Sequence, residues 1–324
     1  MNRLFLVTGA TGHIGTVLVN ELLKKGERVR ILVHPEDRSP LPEGTEVCRG
    51  DVTEPGSLRA FFERKDDCPV SLIHCAARIT IASKEDPRVW ETNVNGTRNI
   101  MDLASAAGIE RVIHISSVHA IPERPKGEII TEVDSFSPDL VDGQYAKSKA
   151  AASQLVLDHA SRGMNVSIIH PSGLIGPGDT MRRNHMIRTI QAMASGAIPA
   201  AVEGGYDLVD ARDVVSGILD CEKQGRPGEC YILSGHYISI LELLNMIRKM
   251  TGKRPVKIEL PYGFVKTIAP LTEKIAVLLR QKPPIFTPYS LATLQTNAAF
   301  SHEKATREFS YHPRPLKDSV QASL

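Results

Sequence analysis

The sequence predicts an α/β fold, a doubly wound parallel sheet followed by a smaller, mostly helical C-terminal region. Three observations predict it. An apolar run, Leu4-Phe5-Leu6-Val7, leads into Thr8-Gly9-Ala10-Thr11-Gly12-His13-Ile14-Gly15, and a helical stripe of Ile14, Val17, Leu18 and Leu22 follows. Short apolar strands and amphipathic helices then alternate through the first half, the pattern of parallel strands covered on both faces. Beyond Pro171 that alternation loosens, with Gly173, Gly176, Pro177 and Gly178 forming a loop.

The glycines at 9, 12 and 15 have the spacing GxxGxxG. A turn without Cβ atoms lets backbone approach a pyrophosphate, and the helix start supplies N–H groups and partial positive charge. Strand, glycine turn and helix together predict a dinucleotide site of the Rossmann type. Gly9, Thr11, Gly12, His13, Ile14 and Gly15 are its expected contacts.

The next strands are Val29–Val33, one ending over Val47–Asp51, Val70–Cys75, Arg111–Ser116 and Val166–His170. Helices are expected over Ser57–Glu63, Pro87–Ala107 and Tyr145–Ser161. Ligands in such sheets bind beyond the carboxyl ends of the strands, so the residues just after each strand are the candidates. His34 and Arg38 follow the second strand and suit a 2′-phosphate, so NADP(H) is favoured over NAD(H), with Glu36 and Asp37 weighing the other way. Asp51 and Val52 follow the third strand; Asp51 reads as an adenine contact or equally as a turn aspartate. Ala76 and Ala77 follow the fourth, small residues where backbone passes a ligand. Asn93-Val94-Asn95-Gly96-Thr97 is poor helix material, which implies a compensating partner.

Ser116-Ser117 ends the fifth strand, and Tyr145-Ala146-Lys147-Ser148-Lys149 opens a helix. Tyr145 and Lys149 are four apart and share a face. A phenol near pKa 10 is a poor acid or base at neutral pH, and an adjacent ammonium lowers that value. Ser117 can hydrogen-bond the reacting oxygen while Tyr145 handles the proton of a hydride transfer. Ser116 competes with Ser117 for that role and counts among the cofactor contacts, as do Tyr145 and Lys149. Tyr262 and Lys266 repeat YxxxK without a serine-bearing strand before them, and read as structural.

Lys+Arg 39 against Asp+Glu 37 gives a net charge of +2, which does not suggest nucleic acid as a partner. Five cysteines, none in a CxxC pair, read as reduced thiols of a cytoplasmic protein, and no metal site is expected. No signal peptide and no transmembrane segment are expected. In the second half, Met181–Ser195 reads as a helix with Met186, Ile187, Ile190 and Met193 facing the core or a substrate. Tyr206–Asp210 is expected to return to the sheet, with Asp210 or Asp213 as a cap and Arg212 as its ion partner. Tyr231–Leu233 reads as a strand and Ile240–Met250 as a helix. From Pro261 to Arg280, Phe264, Ile268, Ile275, Leu278 and Leu279 recur at helical spacing around Pro270. Lys266, Lys274 and Arg280 would suit a membrane surface, though a pocket wall or dimer surface is the favoured reading.

The glycine stretch, Gly50-Asp51, Asn93–Thr97, Ser116-Ser117, Tyr145…Lys149 and Pro171…Gly176-Pro177-Gly178 occur in the order of the extended short-chain dehydrogenases/reductases. Phe300-Ser301…Tyr311-His312-Pro313 is similar to that family's closing segment. The chain resembles most the dihydroflavonol-reductase and 3β-hydroxysteroid-dehydrogenase branch. The resemblance implies a Ser117, Tyr145, Lys149 triad. It also implies Asn93 in the cofactor cleft and Pro171 and Ser172 near the nicotinamide. Val118-His119 replaces the acidic pair of sugar dehydratases, so dehydration is discounted; His119 is either a substrate contact or a loop residue.

The expected layout is a dinucleotide-binding domain over 1–170, with 206–235 returning to it, and a substrate region over 171–205 and 236–324. The expected activity interconverts a carbonyl and a secondary alcohol on a small, mostly apolar molecule. One alternative is a nucleotide-sugar 4-epimerase with tightly held NAD, Arg182, Arg183 and Arg188 meeting the diphosphate. Another is an NADP-binding sensor without chemistry. A small-molecule substrate is the expected partner, and a homodimer is left open.

Overall fold

The computed structural model describes residues 3–64, 66–80, 84–181, 184–267 and 288–324. The chain runs β1 (Leu4–Thr8), α1 (His13–Lys24), β2 (Arg28–Val33), β3 (Glu46–Arg49), a 3₁₀ turn over Pro55–Leu58, α2 (Arg59–Phe62) and β4 (Val70–His74). It continues through α3 (Pro87–Trp90), a π-helical turn over Glu91–Asn95, α4 (Gly96–Ala106), β5 (Arg111–Ile115), α5 (Gln144–Ser161) and β6 (Val166–Pro171). The second half holds β7 (Gly173–Ile175), α6 (His185–Ser195), β8 (Ala201–Val202), β9 (Gly205–Asp210), α7 (Ala211–Gln224), β10 (Cys230–Leu233) and β11 (His236–Ser239). It ends with α8 (Ile240–Met250), β12 (Glu259–Leu260), α9 (Pro288–Gln295), α10 (Glu303–Phe309) and α11 (Leu316–Gln321).

Seven strands form one parallel sheet in the order β3-β2-β1-β4-β5-β6-β10. The order reverses between β1 and β4. The turns after these two strands diverge there and leave a crevice at their carboxyl ends. Two apolar layers hold the sheet. Leu72, Ile100, Val112 and Val156 pack on the α4/α5 face. Val7, Leu18, Ile31, Val214 and Ile218 pack on the α1/α7 face. Strands buried on both sides read as unbroken apolar runs rather than alternating ones, which is why the sequence marks them clearly.

The stretch after Pro171 builds its own small sheet, β7-β9-β11, over a third core of Ile175, Ile190, Leu208 and Leu243. Here the expectation for Tyr206–Asp210 is corrected. β9 pairs with β7 and with antiparallel β11, and only α7 and β10 rejoin the large sheet. Ile187, Ile190 and Met193 of α6 are buried in the third core, so the stripe faces inward. Asp210 caps α7 by accepting from the Arg212 backbone and pairs with the Arg212 guanidinium at 2.8 Å.

Among the described residues no helix is long and apolar enough to cross a membrane. Most of the proposed 261–280 face lies outside the described residues. Lys266 lies 5.7 Å from the centre of the Tyr262 ring, a contact within the segment itself.

Candidate active site

The glycine turn is shaped by close packing. Gly9 has φ of +66°, and a Cβ there would meet the Ala76 nitrogen at 2.6 Å, so the first loop lies directly on the backbone after β4. A Cβ on Gly15 would run into the Gly9 carbonyl. Gly12 heads α1 with no side chain capping it, which leaves that helix start open to an anionic ligand. Ile14 is buried under the turn.

At the end of β2 the structure turns two carboxylates toward the site. The Thr11 hydroxyl donates to Asp37 at 2.6 Å, and Ser39 donates to the same carboxylate. His34 accepts the Glu36 N–H on Nδ1 and meets Asp51 through Nε2 at 3.2 Å. That pattern engages both ring nitrogens. Asp51 also accepts the Thr53 N–H. Burial pushes the Asp51 carboxyl up, but the bonds from Thr53 and His34 outweigh it and hold it below its ordinary value. Arg38 is exposed. Val52 faces the core and packs against Gly96.

A buried polar chain ties the crevice to α5. The Ala76 N–H donates to the Thr8 hydroxyl at 3.1 Å, Thr8 meets His74 Nδ1 at 2.7 Å, and His74 Nε2 meets the Thr97 hydroxyl at 3.0 Å. Thr97 in turn donates to the Asn93 carbonyl, which fixes the direction of the chain: His74 carries its proton on Nε2. The Asn93 amide brackets the Arg78 backbone and donates to the Ser148 hydroxyl at 2.9 Å. Ser148 donates to the Tyr145 carbonyl. Asn93 lies within the π turn, whose widened backbone lets its side chain reach both the β4 loop and α5. This is the compensation that the unfavourable Asn-Val-Asn-Gly composition calls for.

Asn93→Ala is expected to destabilise the fold by about 1–3 kcal/mol, because it removes the partner of the part-buried Arg78 N–H and a donor to the buried Ser148 hydroxyl. Urea unfolding of the two proteins measures it.

On α5, Lys149 is 3% exposed and donates to the Ile115 carbonyl at 2.6 Å. Burial lowers its ammonium to about 8, with Cys75 opposing the shift. Tyr145 is half-buried one turn earlier, its ring edge-on to His119 at 6.4 Å between centroids. The 3₁₀ turn that carries His119 is capped by Ser117, whose hydroxyl accepts the His119 N–H at 3.2 Å, and that turn packs on α5. Ser116 points away: its hydroxyl pairs with Ser153 at 2.7 Å inside the α5 interface. Pro171 and Ser172 close the other side of the strand ends, Ser172 donating to buried Asp207 at 2.5 Å. Asp207 also accepts the Gly235 N–H, and burial raises its carboxyl.

Three residues the sequence reading missed sit beneath this arrangement. His74 ends β4, and His114 and His170 are the penultimate residues of β5 and β6, all on the α4/α5 side. Burial lowers His74 to about 3 and His170 to about 4, and holds His114 well below its ordinary value. A histidine two places after Leu72, on the same strand face, was the available signal for His74. Arg182 and Arg183 lie outside the described residues, and Arg188 is half-buried on α6.

A family model described as NAD dependent epimerase/dehydratase family matches residues 5–233. The chain is 32% identical to "Sterol demethylase protein B" of Methylococcus capsulatus, over 95% of this chain and 93% of that one. It is 33% identical to a "Putative dihydroflavonol 4-reductase" of Synechocystis, over 87% and 82% of the two chains. The crystal structure described as gox2253 superposes with a TM-score of 0.84 at 33% identity, covering 99% of this chain and 97% of the other.

Two further structures bear on the cofactor. A Thermus thermophilus UDP-glucose 4-epimerase complex with NAD has a TM-score of 0.75 at 21% identity, covering 99% and 97%. MoeE5 in complex with UDP-glucose and NAD has 0.72 at 23%, covering 98% and 96%. These neighbours hold NAD, and they overturn the NADP preference read from His34 and Arg38. The physical reason lies at the end of β2. Asp37 lies there, with Asp51 beside it from the end of β3; His34 is hydrogen-bonded to Asp51, and a 2′-phosphate would face two carboxylates.

Proposed function

The chain belongs to the NAD-dependent epimerase/dehydratase family of extended short-chain dehydrogenases/reductases, and on that premise we propose that it exchanges hydride between NAD and a secondary carbinol carbon. The family scaffold carries NAD-dependent oxidoreductase and epimerase activity, and the chain is an enzyme of it. The observation that carries the proposal is Lys149: a buried ammonium fixed to the end of β5, one helical turn from Tyr145, on the helix against which the Ser117-capped 3₁₀ turn packs.

In this reading Gly9, Thr11, Gly12, His13, Ile14 and Gly15 carry the pyrophosphate on backbone N–H groups. Asp37 and Asp51 meet the adenosine half. Ala76, Ala77 and Asn93 line the crevice floor, and Pro171 and Ser172 flank the nicotinamide. NAD supplies the hydride acceptor. Ser117 donates a hydrogen bond to the reacting oxygen. Tyr145 takes or returns the hydroxyl proton, and Lys149 steadies the phenolate through its charge.

Two net outcomes share this half-reaction. The family description and the NAD held by neighbours of this fold favour the redox-neutral one, a nucleotide-sugar 4-epimerase that keeps its cofactor. The putative dihydroflavonol 4-reductase relative, at 33% identity, supports the other, net interconversion of a carbonyl and an alcohol. The expected result for the first is that protein purified without added cofactor retains NAD and converts UDP-glucose to UDP-galactose with no net NADH. Consumption of NADH against a carbonyl panel, with no sugar turnover, selects the second. Failure of both, with NAD bound, would remove the hydride-exchange proposal.

A further inference from the structure

His13 occupies a variable position of the glycine motif, yet its side chain leaves the crevice and enters the loop between β7 and α6. Nε2 lies 2.9 Å from the Pro177 carbonyl, and Nδ1 lies 2.8 Å from the Asn184 amide nitrogen. Pro177 offers only an acceptor, so Nε2 carries the proton and Nδ1 accepts from Asn184. Asn184 cannot turn its amide over, because its oxygen accepts the Met186 and Ile187 N–H groups as the cap of α6. Its amide nitrogen also donates to the Leu174 carbonyl. The loop is pressed close as well: a Cβ on Gly178 would run into Val17 of α1.

We propose that His13 is a positioning residue, fastening Pro177 and the Asn184 cap of α6 to the first turn of α1. The order of the α6 end and the occupancy of the α1 helix start are thereby coupled, and the fastening holds only while the imidazole is neutral. A protonated ring would set an N–H against the Asn184 N–H₂, donor against donor.

The charged groups facing the ring are Asp179 of the same loop and Asp210, the cap of α7. Asp210 is itself paired with Arg212 and lies 3.9 Å from Arg314. Burial lowers the ring's pKa, with the Pro177 carbonyl and Asp179 opposing, so the neutral form prevails at pH 7. Coupling between the sites is reciprocal: whatever NAD does to the loop, the loop does to NAD.

The inference rests on the cofactor reading above, so the test separates the two. Hydrogen–deuterium exchange is followed over 174–190, with rates corrected for intrinsic pH dependence, at pH 7.5 and 5.5, with and without NAD. In the wild type, NAD is expected to slow exchange at Met186 and Ile187, and pH 5.5 to speed it. His13→Ala loses both ring hydrogen bonds and should exchange at least about tenfold faster there, and the factor by which NAD slows that exchange should fall toward one.

Asn184→Asp is the second variant. It keeps the helix cap but faces Nδ1 with a carboxylate, so its segment should be held more firmly at pH 5.5 than at pH 7.5. A merely structural role for the loop would not reverse that dependence. Equal exchange in wild type and His13→Ala with NAD bound, or an unreversed pH response in Asn184→Asp, overturns the fastening. Lack of NAD binding by the wild type strikes the cofactor reading instead.

Discussion

Tyr145→Phe is expected to cut turnover about a thousandfold while NAD affinity stays at its wild-type value. The phenol ring is half-buried and its neighbours are already in place: Lys149 anchored to β5, Ser148 bonded to the Tyr145 backbone, His119 across the ring edge. Phenylalanine keeps that packing and removes only the hydroxyl. The loss corresponds to about 4 kcal/mol in the barrier, which is the scale of one positioned proton donor. Steady-state rates on whichever substrate the sugar and carbonyl assays select, with NAD titrated separately by fluorescence, measure both halves. Turnover within a few-fold of wild type would mean that another group handles the proton.

The second large effect is acid lability. His74, His114 and His170 are buried and neutral in the folded protein, lowered to about 3, well below the ordinary range, and about 4. In the unfolded chain each returns to about 6.5. A lowered folded value means that the unfolded state binds protons first. The stability these rings allow is therefore complete above about pH 6.5 and lost as the pH falls from there toward the folded values. Each ring contributes a slope of about 1.4 kcal/mol per pH unit. By pH 5 His74 and His170 together remove roughly 4 kcal/mol, and His114 shifts in the same direction.

Urea unfolding at pH 7.5 and pH 5 is expected to show a loss of that size. His114 is the informative control, because neither of its buried ring nitrogens has a hydrogen-bond partner among the described residues. His114→Leu should recover part of that loss at pH 5. An unchanged midpoint across the two pH values would show that these rings are protonated, or solvated, in the folded state.

Much of this was legible in the sequence because local pattern and tertiary role coincide. Leu4–Val7 is an unbroken apolar run for the same reason that β1 is central. Gly9 and Gly15 are spaced as they are because the turn must lie against both Ala76 and its own helix. Ser116 and Ser117 could have been separated by pleat alone: Ser116 shares a strand face with His114, toward α5, and Ser117 does not.

Other features depend on contacts that spacing does not encode. The Thr8–His74–Thr97 chain joins residues 66 and 23 positions apart. β9 reads as a strand in either sheet, and only the close approach of Gly173 to the Asp207 carbonyl, 2.8 Å from a would-be Cβ, reflects its pairing with β7. The cofactor preference misled because Asp37 folds back onto Thr11, a geometry invisible in a run of loop charges.

The widened turn at Glu91–Asn95 also constrains how such a chain can diverge. It is equivalent to one extra residue threaded into an otherwise regular spiral. Removing a residue there would close the turn to a regular α-helical one, keeping Thr97 and Ile100 on the sheet but carrying the Asn93 side chain away from Arg78 and Ser148. Insertions and deletions should therefore accumulate in the surface connections and avoid this segment, so its length is a sharper signature of shared ancestry than the identity of any residue within it.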